Sequence, residues 1–88
     1  MLTLQDCLDF CDMERGEIDA IACHEHIPPV VAVELCDTLL HSPEGLCNLH
    51  AMFLENIEDA LAHGEGARAQ ALTSQYRHFQ ATHPLPLP

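Results

Sequence analysis

The clearest structural signal in this sequence is an apolar stripe framed by a start signal and a stop signal for an α-helix. Ser42, Pro43 and Glu44 form the start: serine caps a first turn, proline is tolerated at the first helical position, and an acid suits the positive end of the helix dipole. His63 and Gly64 form the stop, because glycine readily takes the left-handed conformation that follows a helix. The stripe has helical spacing and consists of Leu46, Leu49, Phe53, Ile57, Ala60 and Leu61.

A second long helix is predicted directly afterwards, from about Ala67 to Thr82. The link between the two helices, residues 64–66, is so short that the helices must fold back on each other as an antiparallel hairpin. Apolar residues at helical spacing on both helices predict one shared core. This predicted core consists of Leu46, Leu49, Phe53, Ile57, Leu72, Tyr76 and Phe79.

Three further helices are predicted upstream of this hairpin. The first runs from Leu4 to about Cys11, after a Thr-x-x-Asp capping box. The second begins after Asp12 or Met13 and continues to about His24, with Asp12 available as its cap. The third runs from Pro29 to about His41, after a proline pair that ends the second helix. Together with the hairpin, these segments predict an all-α bundle of about five helices.

The third predicted helix is apolar over more than half of its circumference. Its apolar residues are Val30, Val31, Val33, Leu35, Cys36, Leu39 and Leu40. A helix of this kind is expected at the centre of a bundle, with neighbours on two sides. Glu34, Asp37 and His41 occupy the remaining strip.

Length and composition fit one small domain. The chain has 88 residues, which allows a single core. Hydrophobic residues make up 48% of the chain, which argues against disorder despite a net charge of −11. We therefore predict one helical domain over residues 1–83. Residues 84–88 alternate proline and leucine and are expected to form an extended tail.

Composition also excludes several classes of function. Lys and Arg together number three, too few to neutralise phosphates, so nucleic acid is not expected as a partner. The longest apolar run, Ile27–Val33, contains two prolines and is far shorter than a membrane span. The N-terminus lacks the apolar core of a secretion signal, and five cysteines cannot all pair. These features predict a cytoplasmic protein with reduced thiols.

The strongest candidate for a chemical site is a run of possible metal ligands where the second helix ends. It consists of Cys23, His24 and His26, and the following prolines allow the backbone to turn and present two of them together. Cys47 and His50, spaced i, i+3 on the fourth predicted helix, would complete a site for zinc or another transition metal. No zinc-finger spacing is present. The alternative is that the histidines are exposed and complement the negative end of the helix dipole.

Two other groups of residues have simpler explanations. Cys7 and Cys11 share one helical face and would suit a soft metal, but they also occupy positions where small apolar side chains pack. Glu55, Glu58 and Asp59 lie off the apolar stripe and lack the Glu-x-x-His pairs of a di-iron bundle, so a solvated acidic face is expected. No nucleophile turn or oxyanion loop accompanies any Cys–His pair, which favours a protein that is not an enzyme.

Four stretches of the chain resemble a group of short bacterial proteins of about this length that have no assigned activity. These stretches are residues 2–10, 17–22, 24–28 and 42–45. The resemblance implies a cytosolic bacterial setting and a small helical fold, and it transfers no functional residue.

Two functions follow as predictions. The first is a small acidic protein that acts as a protein–protein interaction or regulatory module, through the apolar third helix and the acidic surface, with a protein partner or a second copy of itself. The alternative is a small metal-binding protein that uses the Cys and His ligands named above.

Overall fold

The computed structural model describes residues 13–85, and this part of the chain is all-helical, as predicted. It contains four helices: α1 (Arg15–Glu25), α2 (Pro29–Leu40), α3 (Pro43–Ala62) and α4 (Gly66–Thr82). Four helices rather than five are seen because the first predicted helix, Leu4–Cys11, lies outside the described residues. Cys7, Cys11 and the last three residues of the predicted tail lie outside them as well.

Helix α1 begins later than the sequence predicted. Its N-cap is Glu14 rather than Asp12, and the side chain of Glu17 accepts a hydrogen bond from the Glu14 backbone N–H at 2.8 Å. The helix ends at Glu25, and His26, which follows it, takes the left-handed conformation with φ of 57°. The Ile27 N–H then donates to the Ala22 carbonyl at 3.1 Å, which is the closing bond of a Schellman motif.

The ends of α2 and α3 agree closely with the predictions. Pro29 opens α2, and the Ser42 Oγ accepts the Gly45 N–H at 3.0 Å at the start of α3. After α3, Gly64 takes a left-handed conformation with φ of 69°, and the Glu65 N–H donates to the Ala60 carbonyl at 2.8 Å. These signals are local, so the sequence alone is sufficient to locate them.

The predicted hairpin is present, and α3 and α4 are the most closely packed pair among the described helices. Contacts along the pair run from Asp59–Arg68 through Phe53–Tyr76 to His50–Phe79. Residue numbers rise on one helix as they fall on the other, so the two helices are antiparallel. Helix α2 packs against both α1 and α3, as expected, but its exposed Val30 and Val31 show that it lies at the edge of the bundle rather than at its centre.

The core lies where these helices meet, and its centre is aromatic. Phe53 and Phe79 are both fully buried, with ring centroids 4.9 Å apart. Leu49, Leu72 and Tyr76 are buried beside them as predicted. Leu46 and Ile57 are partly buried and pack against this core.

Leu61 is a correction to the predicted stripe, because 62% of it is exposed. The buried line of α3 continues from Phe53 through Asn56 to Ala60, and Leu61 is turned about 100° away from Ala60. Asn56 is buried because its side-chain amide donates to the Ala20 carbonyl at 3.0 Å. This bond ties α3 to α1 through a polar residue that the apolar pattern did not select.

Candidate functional site

The run of predicted metal ligands lies at the carboxyl end of α1 and borders a cavity of about 400 Å³. Cys23, His24 and His26 line one side of it. Helices α3 and α4 supply the remaining lining residues, which are Glu55, Asn56, Asp59 and Arg68. The structure therefore joins the three upstream ligands to the acidic face of α3.

The charged groups around this cavity are already paired with one another. His24 Nδ1 lies 3.2 Å from Glu25 Oε2, and its Nε2 lies 3.4 Å from Glu55 Oε2. Arg68 lies 3.6 Å from an oxygen of Asp59 and 3.5 Å from one of Glu65. Half-exposed pairs of this kind contribute little to stability, but they fix the side chains that surround the opening.

His50 faces a different environment from the other predicted ligands. It is buried, and its Nε2 lies 2.8 Å from the His83 carbonyl oxygen while its Nδ1 lies 3.0 Å from the Tyr76 hydroxyl. Because a carbonyl oxygen only accepts, Nε2–H donates to it, and in the neutral ring Nδ1 accepts the Tyr76 O–H. Both ring nitrogens of His50 are thus used to join α3 to the end of α4.

The five predicted ligands do not come together as one metal site in this chain. Cys47 is exposed, and neither it nor His50 lines the cavity beside Cys23 and His24. Among the residues that the structure describes, no group of three or more His, Cys, Asp or Glu side chains is placed to hold a metal ion. Spacing i, i+3 puts two residues on one side of a helix but does not fix what that side meets.

Helix α2 has an outward side that its neighbours leave uncovered. Ala32, Val33 and Cys36 are its buried residues. Val30 and Val31 are 41% and 42% exposed, although the sequence placed them with the apolar positions. We call the outward side the α2 face; it consists of Val30, Val31, Glu34, Asp37, Thr38 and His41.

A shallow apolar hollow of about 260 Å³ lies at the carboxyl end of the α2 face. His41 belongs to both the face and the hollow. The other lining residues come from the end of α2 and the start of α3, and they are Leu40, Ser42, Pro43 and Leu46. The α2 face therefore has apolar surface at both ends and two carboxylates between them.

The charge around the α2 face has one sign. No Lys or Arg occurs from residue 16 to residue 67, a range that includes all of α2 and α3. Of the three arginines, Arg15 pairs with Asp19 at 2.9 Å and Arg68 pairs with Asp59. Arg77 lies on α4. Apart from the Arg68–Asp59 pair at the carboxyl end of α3, the carboxylates of α2 and α3 thus have no described basic side chain beside them except histidine.

A charged contact between α1 and α4 was missed by the sequence analysis. Glu17 is only 2% exposed; one of its oxygens accepts the Glu14 N–H, and the other lies 3.1 Å from His78 Nδ1. His78 Nε2 lies 3.4 Å from Glu14. The Glu-x-x-Glu spacing of a capping box could have predicted the bond between Glu17 and the Glu14 N–H. No pattern in the sequence indicates that His78 of α4 lies beside Glu17.

The pKa of His78 is raised, first by its hydrogen bond to Glu17 and then by the charge of Glu14. Because the folded state holds the proton of His78 more tightly than the unfolded chain does, protonated His78 stabilises the fold. This contribution is fully present below the unfolded-state pKa of 6.5 and is lost as pH rises through the folded-state pKa. We expect His78→Gln to lower the urea midpoint most near pH 6, with a difference from the parent chain that shrinks toward pH 9.

The control for this pH series is His26→Gln, since His26 is exposed and forms no ion pair with a described carboxylate. Hydrogen bonding to the Asp59 carbonyl also raises the pKa of His63, but His63 is present in every variant and its effect cancels. A midpoint difference for His78→Gln that stayed constant across the pH range would show that its pairing with Glu17 and Glu14 is not linked to folding.

The comparisons with known proteins leave the site to be interpreted from its geometry. No protein-family model, curated protein or solved structure gave a significant match to the chain. In residues 13–85, no helix has the length and apolar character needed to cross a membrane.

Proposed function

We propose that this chain is a protein interaction module of the bacterial cytoplasm, which recruits or regulates another protein through the α2 face. The observation that carries the proposal is the exposure of Val30 and Val31 on the outward side of a helix whose inward side packs in the core. Apolar side chains beside a second apolar hollow provide area that a partner can remove from water. Exposed Cys23 and Cys47 are free thiols, which suits a reducing compartment.

The occupant we propose is a different protein rather than a second copy. Two copies would bring together two chains that each carry a net charge of −11. Since no Lys or Arg lies on α2 or α3, a symmetric contact between two α2 faces would place carboxylates against carboxylates. A homodimer, the other assembly predicted from the sequence, is kept as an outcome of the test.

The test is site-specific photo-crosslinking in cells that produce the chain naturally. A photoreactive phenylalanine analogue at Val31 is expected to give an adduct with one other protein, which mass spectrometry then identifies. The same group at Leu61, which is more exposed and lies in the last turn of α3, serves as the matched control and should give none. The adduct should also disappear when Val30 is replaced by serine.

Each of the other outcomes contradicts the proposal. An adduct with the mass of two copies of the chain would assign the α2 face to a homodimer. Equal adducts at positions 31 and 61 would show non-specific contact, and no adduct at Val31 would show that this face is unoccupied in the cell.

A further inference from the structure

We infer that the partner of the α2 face is a basic amphipathic helix whose apolar side chains and cations are spaced to match the face. This inference rests on the proposed function and names the chemistry of the partner. It follows from three observations: the order of apolar and acidic residues along α2, the distance between the two apolar ends, and the absence of Lys and Arg from this side of the domain.

The order of residues along the face sets the order of contacts. Val30, Glu34, Asp37 and His41 are spaced i, i+4, i+7 and i+11, so they form one line along the helix. The line begins with an exposed valine, passes two exposed carboxylates and ends at the apolar hollow. A helix that lies along it meets apolar surface, then negative charge, then apolar surface again.

The distance between the two apolar ends sets the length of the partner. His41 lies eleven positions after Val30, which corresponds to about 16 Å at 1.5 Å per residue. A partner helix covers the same distance with its own i and i+11 positions. Apolar side chains at those positions reach the valine end and the hollow, while Lys or Arg at i+4 and i+7 face Glu34 and Asp37.

The charge of the domain favours a cationic partner over a neutral or acidic one. Glu34 and Asp37 form no ion pair with a described side chain, so their charges are available to a partner. Exposed charges attract an opposite partner at long range and are screened by salt, so binding should weaken as ionic strength rises. The apolar ends then supply contact area that salt does not remove.

The test uses two synthetic helical peptides of about 16 residues, long enough to include all four contact positions. Both carry leucine at i and i+11; one carries lysine at i+4 and i+7, and the other carries glutamate there. Binding to the ¹⁵N-labelled full chain is followed by amide chemical shifts. We expect the lysine peptide alone to bind, with the largest shifts at Val30, Val31 and Glu34.

A matched pair of charge variants locates the binding site. Glu34→Gln with Asp37→Asn removes two charges from the α2 face and should weaken the lysine peptide about fivefold. Glu58→Gln with Glu65→Gln removes two exposed charges elsewhere and should change affinity much less, because Arg68, which loses Glu65, keeps its pair with Asp59. Because both double variants have the same net charge, a difference between them reflects the position of the acids.

Three outcomes would overturn the inference. Equal binding of both peptides at α2 would show that the face selects apolar surface without regard to charge. Chemical shift changes centred on the cavity beside His24 would show that basic helices bind there and not at the α2 face. No binding by either peptide would show that the domain does not bind basic helices. None of these outcomes affects the photo-crosslinking test of the proposed function. A crosslinked partner that has no basic helix would refute this inference alone, whereas the absence of any adduct at Val31 would refute the proposed function.

Discussion

Replacing Phe53 by alanine is expected to lower the free energy of unfolding by about 3–5 kcal/mol, enough to unfold much of the chain at 25 °C. The ring is fully buried between α3 and α4, where it contacts Phe79 at 4.9 Å and Tyr76 at 5.7 Å between centroids. Alanine would remove these contacts and leave a cavity in a small core that has few other residues to fill it. Urea unfolding followed by circular dichroism measures the loss.

The matched control for this substitution is the next residue on the same helix. Leu54 is 46% exposed, so Leu54→Ala should change the free energy of unfolding by about 0.5 kcal/mol or less. Similar losses for Phe53→Ala and Leu54→Ala would contradict the assigned core, because they would mean that α3 does not turn Phe53 inward.

The ends of α2 and α3 were predictable from the sequence because their causes are local, whereas α1 begins at a later cap than the sequence predicted. Ser42 caps its own helix, and the prolines after His26 restrict the backbone beside them. The apolar stripe of the hairpin was equally predictable, since a period of 3.6 residues fixes which side chains share a face. This reasoning fails at Leu61, because the buried side of α3 passes through Asn56 and Ala60 instead.

The buried polar residues required knowledge of their distant partners. The carboxylate of buried Glu17 is compensated by the ring of His78 on α4. The side-chain amide of buried Asn56 is compensated by the Ala20 carbonyl oxygen on α1. His50 was predicted as a metal ligand, yet it joins Tyr76 to the His83 carbonyl. Burying a polar side chain is costly unless a partner compensates it, and the sequence does not show which helix supplies that partner.

The candidate surface was predictable in part. The sequence selected the third helix for its apolar residues and placed Glu34 and Asp37 on its remaining strip, where both are exposed. The breadth of its apolar surface predicted that part of it stays exposed, and the packing of α1 and α3 against α2 shows that Val30 and Val31 are among the residues left outside. Their exposure makes the α2 face a mixed apolar and acidic surface, and the proposed partner follows from this mixture.

Gly45 is a position where tertiary packing imposes a requirement that the sequence analysis did not identify. It lies in the first turn of α3 and is buried against the end of α2. A Cβ atom placed on it would lie 2.2 Å from the Leu39 carbonyl oxygen and 2.7 Å from the Leu39 Cα. Since both atoms belong to the backbone, a rotated side chain cannot relieve the overlap, and α2 and α3 must separate.

We therefore expect Gly45→Ala to destabilise the domain by about 1–3 kcal/mol or more, although alanine is the better helix former. Gly66→Ala is the matched control: Gly66 opens α4, and nothing lies within 4 Å of the Cβ it would gain. That variant should keep or raise stability, by up to about 1 kcal/mol. Opposite signs for the two substitutions in urea unfolding would confirm the close approach of α2 to α3, whereas a neutral Gly45→Ala would show that the turn at Ser42 holds the helices farther apart.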